Sequence, residues 1–552
     1  MSTVMRRFGS IFPFLEQGQN NLRMGRLIAN HDFVKALLRY GGFDELVFSS
    51  PSNANLSSFE STVRSWGLSQ ERLDSVKCVP YFSLPAILQR DPFTVFHLGG
   101  WGYFMPGLHF LRGRYSSFPW PITAVTHSLH GRQTVDFAVR LNRARMASFD
   151  SIFCSSHDGL ATMTKLIEAT GRAIDSRFSG HLDWLPLGID DEVLEEAGDG
   201  QKAREQMQIP SDAVVVMCLG RITPAQKMDL APLVEAFAKD VLPNSRFPVY
   251  LVIAGGADAQ NLRLVQELIR EFHVEAQCRV RANFRSEVKK DLLASADVFL
   301  SLSDNTQETF GLSLLEAQAH SIPVVASRFD GYKDLVRDGV DGYLIDTFGC
   351  TPDPINEFYE ILDPDVAQLY EAQKVAVDVN QFTERLLLLI HESSLRASMG
   401  QEGRKKVANE FVFSRIIHRY EQRWDELYRE AQLTGLPPAM ENHYRVNQSM
   451  LFGHYVSHSL SPQDQVVARP SQTVCSSYNE VRVLLQGADL NKLLDAAANP
   501  ITIESLLEGI SLPREQGWFA VMWLIKYNRL KVVRKGDRKQ RIGNRAKGIG
   551  DR

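Results

Sequence analysis

ADVFLSLSDNTQETFGLSLLEAQAHSIPVVAS, residues 296–327, reads as strand, polar loop, helix and strand. A short apolar run, a helical pattern and a second apolar run make one unit of a parallel α/β sheet. Two acids in it stand out. Glu316 falls among Leu312, Leu315 and Ala319, on the face expected to meet a core, and Glu308 sits in the loop just ahead of the helix. A carboxylate in an apolar stripe is costly unless it is paired. An internal salt bridge to an Arg would satisfy Glu316, and so would a ribose diol reaching it from the end of the sheet. The free N–H groups around Phe310, Gly311 and Leu312 face whatever lies at the strand ends and suit a diphosphate. Glu308, in the same loop, can accept hydrogen bonds from sugar hydroxyls.

The same alternation runs outward in both directions. Upstream and downstream lie DAVVVMCLGRI, FPVYLVIAGG, CRVRANF and GYLID, and an earlier series holds FGSIFPF, DELVFSS, DSVKCVPY, FTVFHLGG, PITAVTHS, DSIFCSS and LDWLPLG. Each series is long enough for its own doubly wound sheet, with the boundary near Gly188–Asp190. The expected order is a first Rossmann-like domain at 1–188 and a second at 189–405. A closing helix follows at 406–432, where a long helical pattern runs over about 404–431. A linker at 433–475, a small, mainly helical module at 476–535 and a basic tail at 536–552 complete the chain. Two such domains in tandem meet across a cleft, and ligands of open α/β sheets bind at the carboxyl ends of the strands.

Bulk composition narrows the function. The 552 residues exceed one ordinary core, and 44% apolar with 23% charged residues is the make-up of a soluble globular chain. A net charge of -4 creates no overall field toward nucleic acid or anionic membrane. The six cysteines, at 78, 154, 218, 278, 350 and 475, have neither metal-ligand nor redox spacing and suit a reducing cytosol. The N-terminus has too short an apolar stretch for a signal peptide, and no apolar run reaches the length of a membrane span. The expected location is cytoplasmic, with peripheral membrane attachment left open.

A second cluster follows the strand DAVVVMCLGRI. It ends at Gly220, and Arg221 and Lys227 follow in the turn before a helix. Two cations at a strand end can hold a phosphate group, Arg as a planar fork and Lys as a point charge. A solvated loop with two surface cations is the alternative. Gly255 and Gly256 end the next strand and permit close backbone approach.

Taken in order, these elements resemble the retaining family 4 glycosyltransferases. Glu308 and Glu316, with Phe310–Gly311 between them and IPVVASRFDGYKDLVRDGVDGYLI after, are similar to the family's E-x(7)-E signature. Gly220, Arg221 and Lys227 match its phosphate-binding loop, PLGID at 186–190 resembles its interdomain segment, and MGQEGRKKVANEFVFSRIIHRYEQRWDELY resembles its closing helices. The resemblance covers about residues 90–430. It implies a GT-B fold and sugar transfer from a nucleotide diphosphate to an acceptor hydroxyl, with uridine the favoured base and no further cofactor. It implies that Arg221 and Lys227 bind the diphosphate, Glu316 the ribose and Glu308 the transferred sugar, with Gly220 and Phe310–Leu312 over the phosphates. TAVTHSLHG matches its strand-end histidine and places His127 near the sugar's primary hydroxyl; a capped strand-end histidine is the plainer alternative. His97 reads as structural. The resemblance further implies front-face attack, with the diphosphate helping to take the acceptor proton. No Asp-x-Asp or His cluster stands at a strand end, and the cations offer the charge a metal would supply.

The first domain departs from the family. Its opening loop, FPFLEQGQNNLRMGRLIANHDFVKAL, carries single glycines, Gly18 and Gly25, where family members often have Gly-Gly. The acceptor therefore stays open among a glycan, a lipid-linked glycan, a small metabolite and a protein. FHLGGWGYFMPGLHFLRGRYSSFPWP, rich in aromatics and glycine, either lines the acceptor site, touches lipid headgroups or packs on the domain's flank. The C-terminal NPITIESLLEGISLPREQGWFAVMWLIKYNRLKVV reads as helix, turn, helix and short strand, a winged-helix-like pattern. Trp518, Phe519, Trp523 and Leu524 suggest packing, which favours a protein-docking module over nucleic acid or membrane despite the basic tail. Two other readings of the chain stand beside transfer: a catalytically silent scaffold, and an epimerase acting on the nucleotide sugar without an acceptor.

Overall fold

The computed structural model describes residues 5–11, 25–51, 53–350, 356–438, 448–469, 478, 481, 485, 490–509 and 513–533. The chain divides into two compact units. The first is Met1–Phe48, Val63–Lys77 and Ala86–Met440; the second is Ser49–Thr62, Cys78–Pro85 and Glu441–Arg552.

The chain forms two large parallel sheets. One has seven strands: β1 (Arg7–Ile11), β2 (Glu45–Ser50), β3 (Val76–Pro80), β4 (Val95–Leu98), β5 (Ile122–Val125), β6 (Ser151–Cys154) and β7 (His181–Trp184), in the order β3-β2-β1-β4-β5-β6-β7. The other has six: β8 (Val214–Leu219), β9 (Val249–Gly255), β10 (Cys278–Ala282), β11 (Val298–Ser301), β12 (Val324–Ser327) and β13 (Gly342–Ile345), in the order β10-β9-β8-β11-β12-β13. Helices cover both faces of the second sheet. Along β8, Val214, Val216 and Cys218 enter one core while Val215, Met217 and Leu219 enter the other. Burial on both faces explains why these strands read as unbroken apolar runs rather than as alternation. In each sheet the order turns back at the central pair, β1/β4 and β8/β11, and such switch points are where ligands enter open sheets.

The chain passes from one sheet domain to the other at Ile189 and returns at Val412. Ile189 N–H donates to Phe411 O (2.9 Å), Phe413 N–H donates to Ile189 O (2.9 Å), and the two segments form a parallel bridge. This corrects the single helix expected over 404–431: there are two, Ser393–Glu410 and Phe413–Thr434. The backbone of Phe411 and Phe413 is spent on Ile189, so the helix cannot run through. The second helix packs onto the first sheet. Its Trp424 is fully buried, with ring centroids 5.6 Å from Phe8, 5.7 Å from Phe43 and 5.3 Å from His97, and its indole N–H donates to Thr123 Oγ1 (3.1 Å).

The aromatic segment after β4 is largely core. Trp101, Met105, Leu108 and Trp120 are buried, whereas Tyr103 is exposed. Its helix, Met105–Tyr115, carries Arg112 into a fully buried fork on Asp150, with Nη1–Oδ1 at 2.7 Å and Nη2–Oδ2 at 2.8 Å. Asp150 also accepts from Ile122 N–H (2.8 Å) and Ala147 N–H (2.9 Å), and Arg112 donates to Trp120 O (2.7 Å). Removing one partner strands the other charge in the core, which costs about 3–5 kcal/mol. Asp150→Ala is therefore expected to lose that much stability, read as an earlier denaturation midpoint, and Asp150→Asn less, because the amide oxygen can still accept.

The second unit holds a small module. Strand β16 (Gln465–Ala468) lies between β17 (Ile501–Thr502) and β18 (Leu530–Val532), antiparallel to both. Helices Leu490–Ala496, Ile503–Glu508 and Arg514–Lys526 complete it. Val466, Leu493, Ile503, Leu506, Trp523 and Leu524 share one core, with Trp518 and Phe519 packed against it. The module is mainly helical, as expected, with a small three-stranded sheet. One expectation changes: the linker assigned to 433–475 contains the module's central strand. QVVA is four residues in a Ser-, Gln- and Pro-rich stretch, and its strand character comes from two pairing partners far along the chain. The basic tail and most of the opening loop with Gly18 lie outside the described residues; Gly25 begins the first helix. No helix among the described residues is long and apolar enough to cross a membrane.

Candidate functional site

The second sheet brings three loops together at the carboxyl ends of its strands. After β8 come Gly220 and Arg221. Gly255, closing β9, has φ +153°, and a Cβ there would lie 1.5 Å from Gly220 O. Only glycine permits that approach, which holds the two strand ends side by side. The stem of Lys227 crosses Gly220, whose added Cβ would meet Lys227 Cε at 3.1 Å. After β11, Glu308 N–H donates to Asn305 O (3.0 Å) in a turn that leads to Gly311 and the helix Leu312–Ala319.

Lys227 and Glu308 meet there as an ion pair, with side chains only 11% and 16% exposed. Tyr332, reaching in from the helix Tyr332–Leu335 after β12, was not identified from the sequence. Its hydroxyl is 2.9 Å from Lys227 Nζ, 2.7 Å from Ser301 Oγ and 3.3 Å from a Glu308 oxygen. Burial alone would raise the Glu308 carboxyl, but the Lys227 ammonium, helped by Phe310 N–H and Tyr332, outweighs it and holds the carboxyl below its ordinary value. Burial likewise works against the Lys227 ammonium, and Glu308 and Tyr332 overcome it, so Lys227 stays protonated. The pair is thus a fixed pair of opposite charges at a strand-end concavity.

Arg221 is folded back on its own loop: Nη1 donates to Gln226 Oε1 (2.6 Å) and Nη2 to Gln226 O (3.3 Å). Burial lowers its pKa against the pull of Glu308. Glu316 corrects two expectations. It lies on the half-buried strip of its helix with Leu312 and Ser313, while Leu314, Leu315 and Ala319 enter the core. Its ion-pair partner is Lys289, not an Arg. Phe310 is buried and packs toward Phe411, with centroids 6.4 Å apart. Gly311 starts the helix in a left-handed conformation, φ +111°.

His127 stands just past β5 in the first sheet domain. Its Nε2 lies 3.0 Å from both Asn30 Oδ1 and Gly99 O, and two acceptors at one nitrogen assign the proton to it. Burial, opposed by the Gly99 bond, lowers the imidazole pKa to about 4, so the ring is neutral near pH 7. His97 is buried against Thr123 Oγ1 (2.9 Å), with burial lowering it to about 3, and matches its structural reading. The loop after β5 touches the Glu308 loop directly. Thr309 Oγ1 donates to His127 O and Ser128 Oγ lies 3.4 Å from Gln307 O, while Ser155 Oγ, just after β6, lies 3.4 Å from Thr309 O. The structure therefore joins Lys227, Glu308 and the start of the Leu312–Ala319 helix to the His127 loop. Arg221 and Glu316 flank this cluster, each engaged by a neighbour of its own.

Residues 199–357 match the family model described as glycosyl transferases group 1. A D-inositol 3-phosphate glycosyltransferase of Geodermatophilus obscurus is 34% identical over 167 residues, covering 29% of this chain and 36% of that protein. The chain thus matches about a third of the length of this relative. Among solved structures, a glycosyltransferase from Rickettsia africae aligns with a TM-score of 0.52 at 14% identity, over 76% of this chain and 98% of that one. The N-terminal domain of Candida albicans trehalose-6-phosphate phosphatase aligns with a TM-score of 0.51 at 12% identity, over 77% and 97%. These likenesses show the shared two-sheet GT-B fold.

Proposed function

We propose that this chain, a member of the glycosyl transferases group 1 family through residues 199–357, is a retaining glycosyltransferase that moves a sugar from a nucleoside diphosphate to an acceptor hydroxyl. The observation that carries the reading is the Lys227–Glu308–Tyr332 cluster at the carboxyl ends of the strands, beside the open helix start at Gly311. Breaking a sugar–diphosphate bond builds negative charge on the leaving oxygen. A cation held at a fixed point, together with free helix N–H groups, stabilises that charge without reorganising, and such fixed donors are usually the largest catalytic contribution. Lys227 and the N–H groups of Gly311 and Leu312 fill this role, and Arg221 joins them by leaving Gln226; Phe310 N–H is engaged by Glu308. Glu308, already oriented by Lys227 and Tyr332, accepts from the sugar hydroxyls.

Neutral His127 carries its proton on Nε2 and accommodates the sugar's primary hydroxyl rather than acting as a general base. The acceptor oxygen attacks the anomeric carbon on the face from which the diphosphate departs, and its proton passes to the departing diphosphate oxygen. Neither step calls on a protein nucleophile or a metal. Uridine is the proposed base, and a cytoplasmic site of action fits the cysteine usage.

Glu316 exchanges Lys289 for the ribose diol. Hydrogen bonds to a charged partner contribute about 1.5–3 kcal/mol, so Glu316→Ala is expected to weaken nucleoside-diphosphate binding about ten- to a hundredfold. The decisive experiment is a thermal-shift and hydrolysis panel over nucleotide sugars, with the released sugar's anomer read by NMR. Stabilisation and release of the retained anomer support the reading. Stabilisation without release from any donor indicates a silent scaffold, and an isomerised sugar formed without acceptor indicates an epimerase.

A further inference from the structure

Between β13 and the helix Val379–His391 the chain makes an excursion that the donor chemistry does not use. It contains a two-stranded ribbon, β14 (Thr347–Phe348) with β15 (Ala376–Val377), and the helix Pro364–Ala372. The helix starts firmly. Pro364 takes its first position, and the Asp363 side chain accepts from Asp365 N–H and Val366 N–H. It carries Gln368 inward to 6% exposure.

A buried amide needs partners for both ends, and those of Gln368 lie on the loop that bears Glu308. Its Nε2 donates to Asn305 Oδ1 (3.1 Å) and to Gln307 Oε1 (2.8 Å). Asn305 is the pivot of that loop. Its Oδ1 accepts from Gln307 N–H (2.9 Å), its carbonyl accepts from Glu308 N–H (3.0 Å), and its Nδ2 donates to Ala225 O in the loop of Lys227. One side chain therefore ties the Glu308 turn, through Asn305, to the Lys227 loop. The same excursion is tied at two other points: Gln373 donates to Asp229 Oδ2 (3.1 Å), and Arg132 of the first sheet domain donates to the carbonyls of Glu360 and Leu362.

We infer that Gln368 is a positioning residue: its amide, by holding Asn305 and Gln307, sets the direction of the Glu308 carboxylate toward Lys227. The inference rests on the donor-site reading above. The donor end of the amide is what matters, because both loop partners present oxygen. Glu at 368 keeps the size but offers those oxygens another oxygen, so it fails as Leu does. Asn at 368 keeps the donor one methylene short.

The test uses the full chain and its Gln368→Glu, Gln368→Leu and Gln368→Asn variants. Three readouts are taken: donor hydrolysis, UDP affinity by calorimetry, and amide exchange of the peptide spanning 303–311. Gln368→Glu and Gln368→Leu are expected to lower kcat at least tenfold, keep the UDP Kd within threefold and speed exchange in 303–311 at least tenfold. Gln368→Asn is expected to recover part of both losses. Exchange in 303–311 unchanged by Gln368→Glu and Gln368→Leu overturns the inference, as does a loss of UDP affinity matching the loss of kcat, since that marks general structural damage. If wild type hydrolyses no nucleotide sugar, the donor-site reading fails, and the exchange measurement alone then decides whether Gln368 holds the turn.

Discussion

Lys227→Met is expected to lower turnover by two to three orders of magnitude, about 2.7–4 kcal/mol of transition-state stabilisation. Methionine keeps the length and apolar stem that cross Gly220 and removes only the charge. The stability change is separable from the catalytic one. In the variant, Glu308 stays largely buried with Tyr332 and Phe310 N–H as its remaining partners, and an orphaned buried charge costs about 3–5 kcal/mol. Adding Glu308→Gln removes that charge. The double variant should regain most of the stability and none of the turnover. Denaturation midpoints and single-turnover donor cleavage measure the two effects on the same samples. Turnover within tenfold of wild type in Lys227→Met would show that the ammonium serves the fold alone, and the donor assignment would fall with it.

What the sequence discloses follows from how local each cause is. The second sheet is legible because its strands are buried on both faces and their runs are continuous, as in VVVMCL of β8. Glu308, Gly311 and Glu316 are legible because their spacing lies within one loop and helix. Partners are set by tertiary geometry, and these the sequence leaves open. Tyr332 stands 24 positions after Glu308 in a charged turn where nothing local singles it out, yet its hydroxyl bridges Lys227 and Ser301. Lys289 lies 27 positions ahead of Glu316, so a charged partner could be foreseen but its identity could not. A histidine at a strand end can be placed from the pattern of PITAVTHS. Its neutrality cannot, because that comes from burial beside Asn30 and Gly99. Strand β16 was hidden for the same reason, since the partners that make QVVA a strand are more than 30 residues downstream.

Gly311→Ala is expected to damage stability, donor affinity and turnover together. Gly311 has φ +111° and ψ 53° at the start of the helix, a conformation that costs an L-residue roughly 1–2 kcal/mol. The added Cβ would also sit 2.6 Å from Tyr332 Cε1 and 2.8 Å from Cδ1. Tyr332 is fully buried and hydrogen-bonded, so its ring has little room to withdraw, and overpacking of this kind costs about 1–3 kcal/mol more. The expected loss of stability is therefore roughly 2–5 kcal/mol. Relief comes by displacing Tyr332, which takes its hydroxyl away from Lys227 and Ser301, or by turning the helix start, which re-aims the N–H groups meant for the diphosphate. Either way turnover falls. Tyr332→Phe separates the two routes, because it keeps the ring and the backbone and deletes only the hydroxyl. It should retain UDP affinity within a few-fold and lose about tenfold in turnover, the worth of one hydrogen bond of about 1.5 kcal/mol to a charged group. Gly311→Ala should lose both affinity and turnover, because backbone donors and Tyr332 move together. A Gly311→Ala protein as stable and as active as wild type would mean that the left-handed helix start is incidental, and the N–H groups of Gly311 and Leu312 would lose their place in the proposed site.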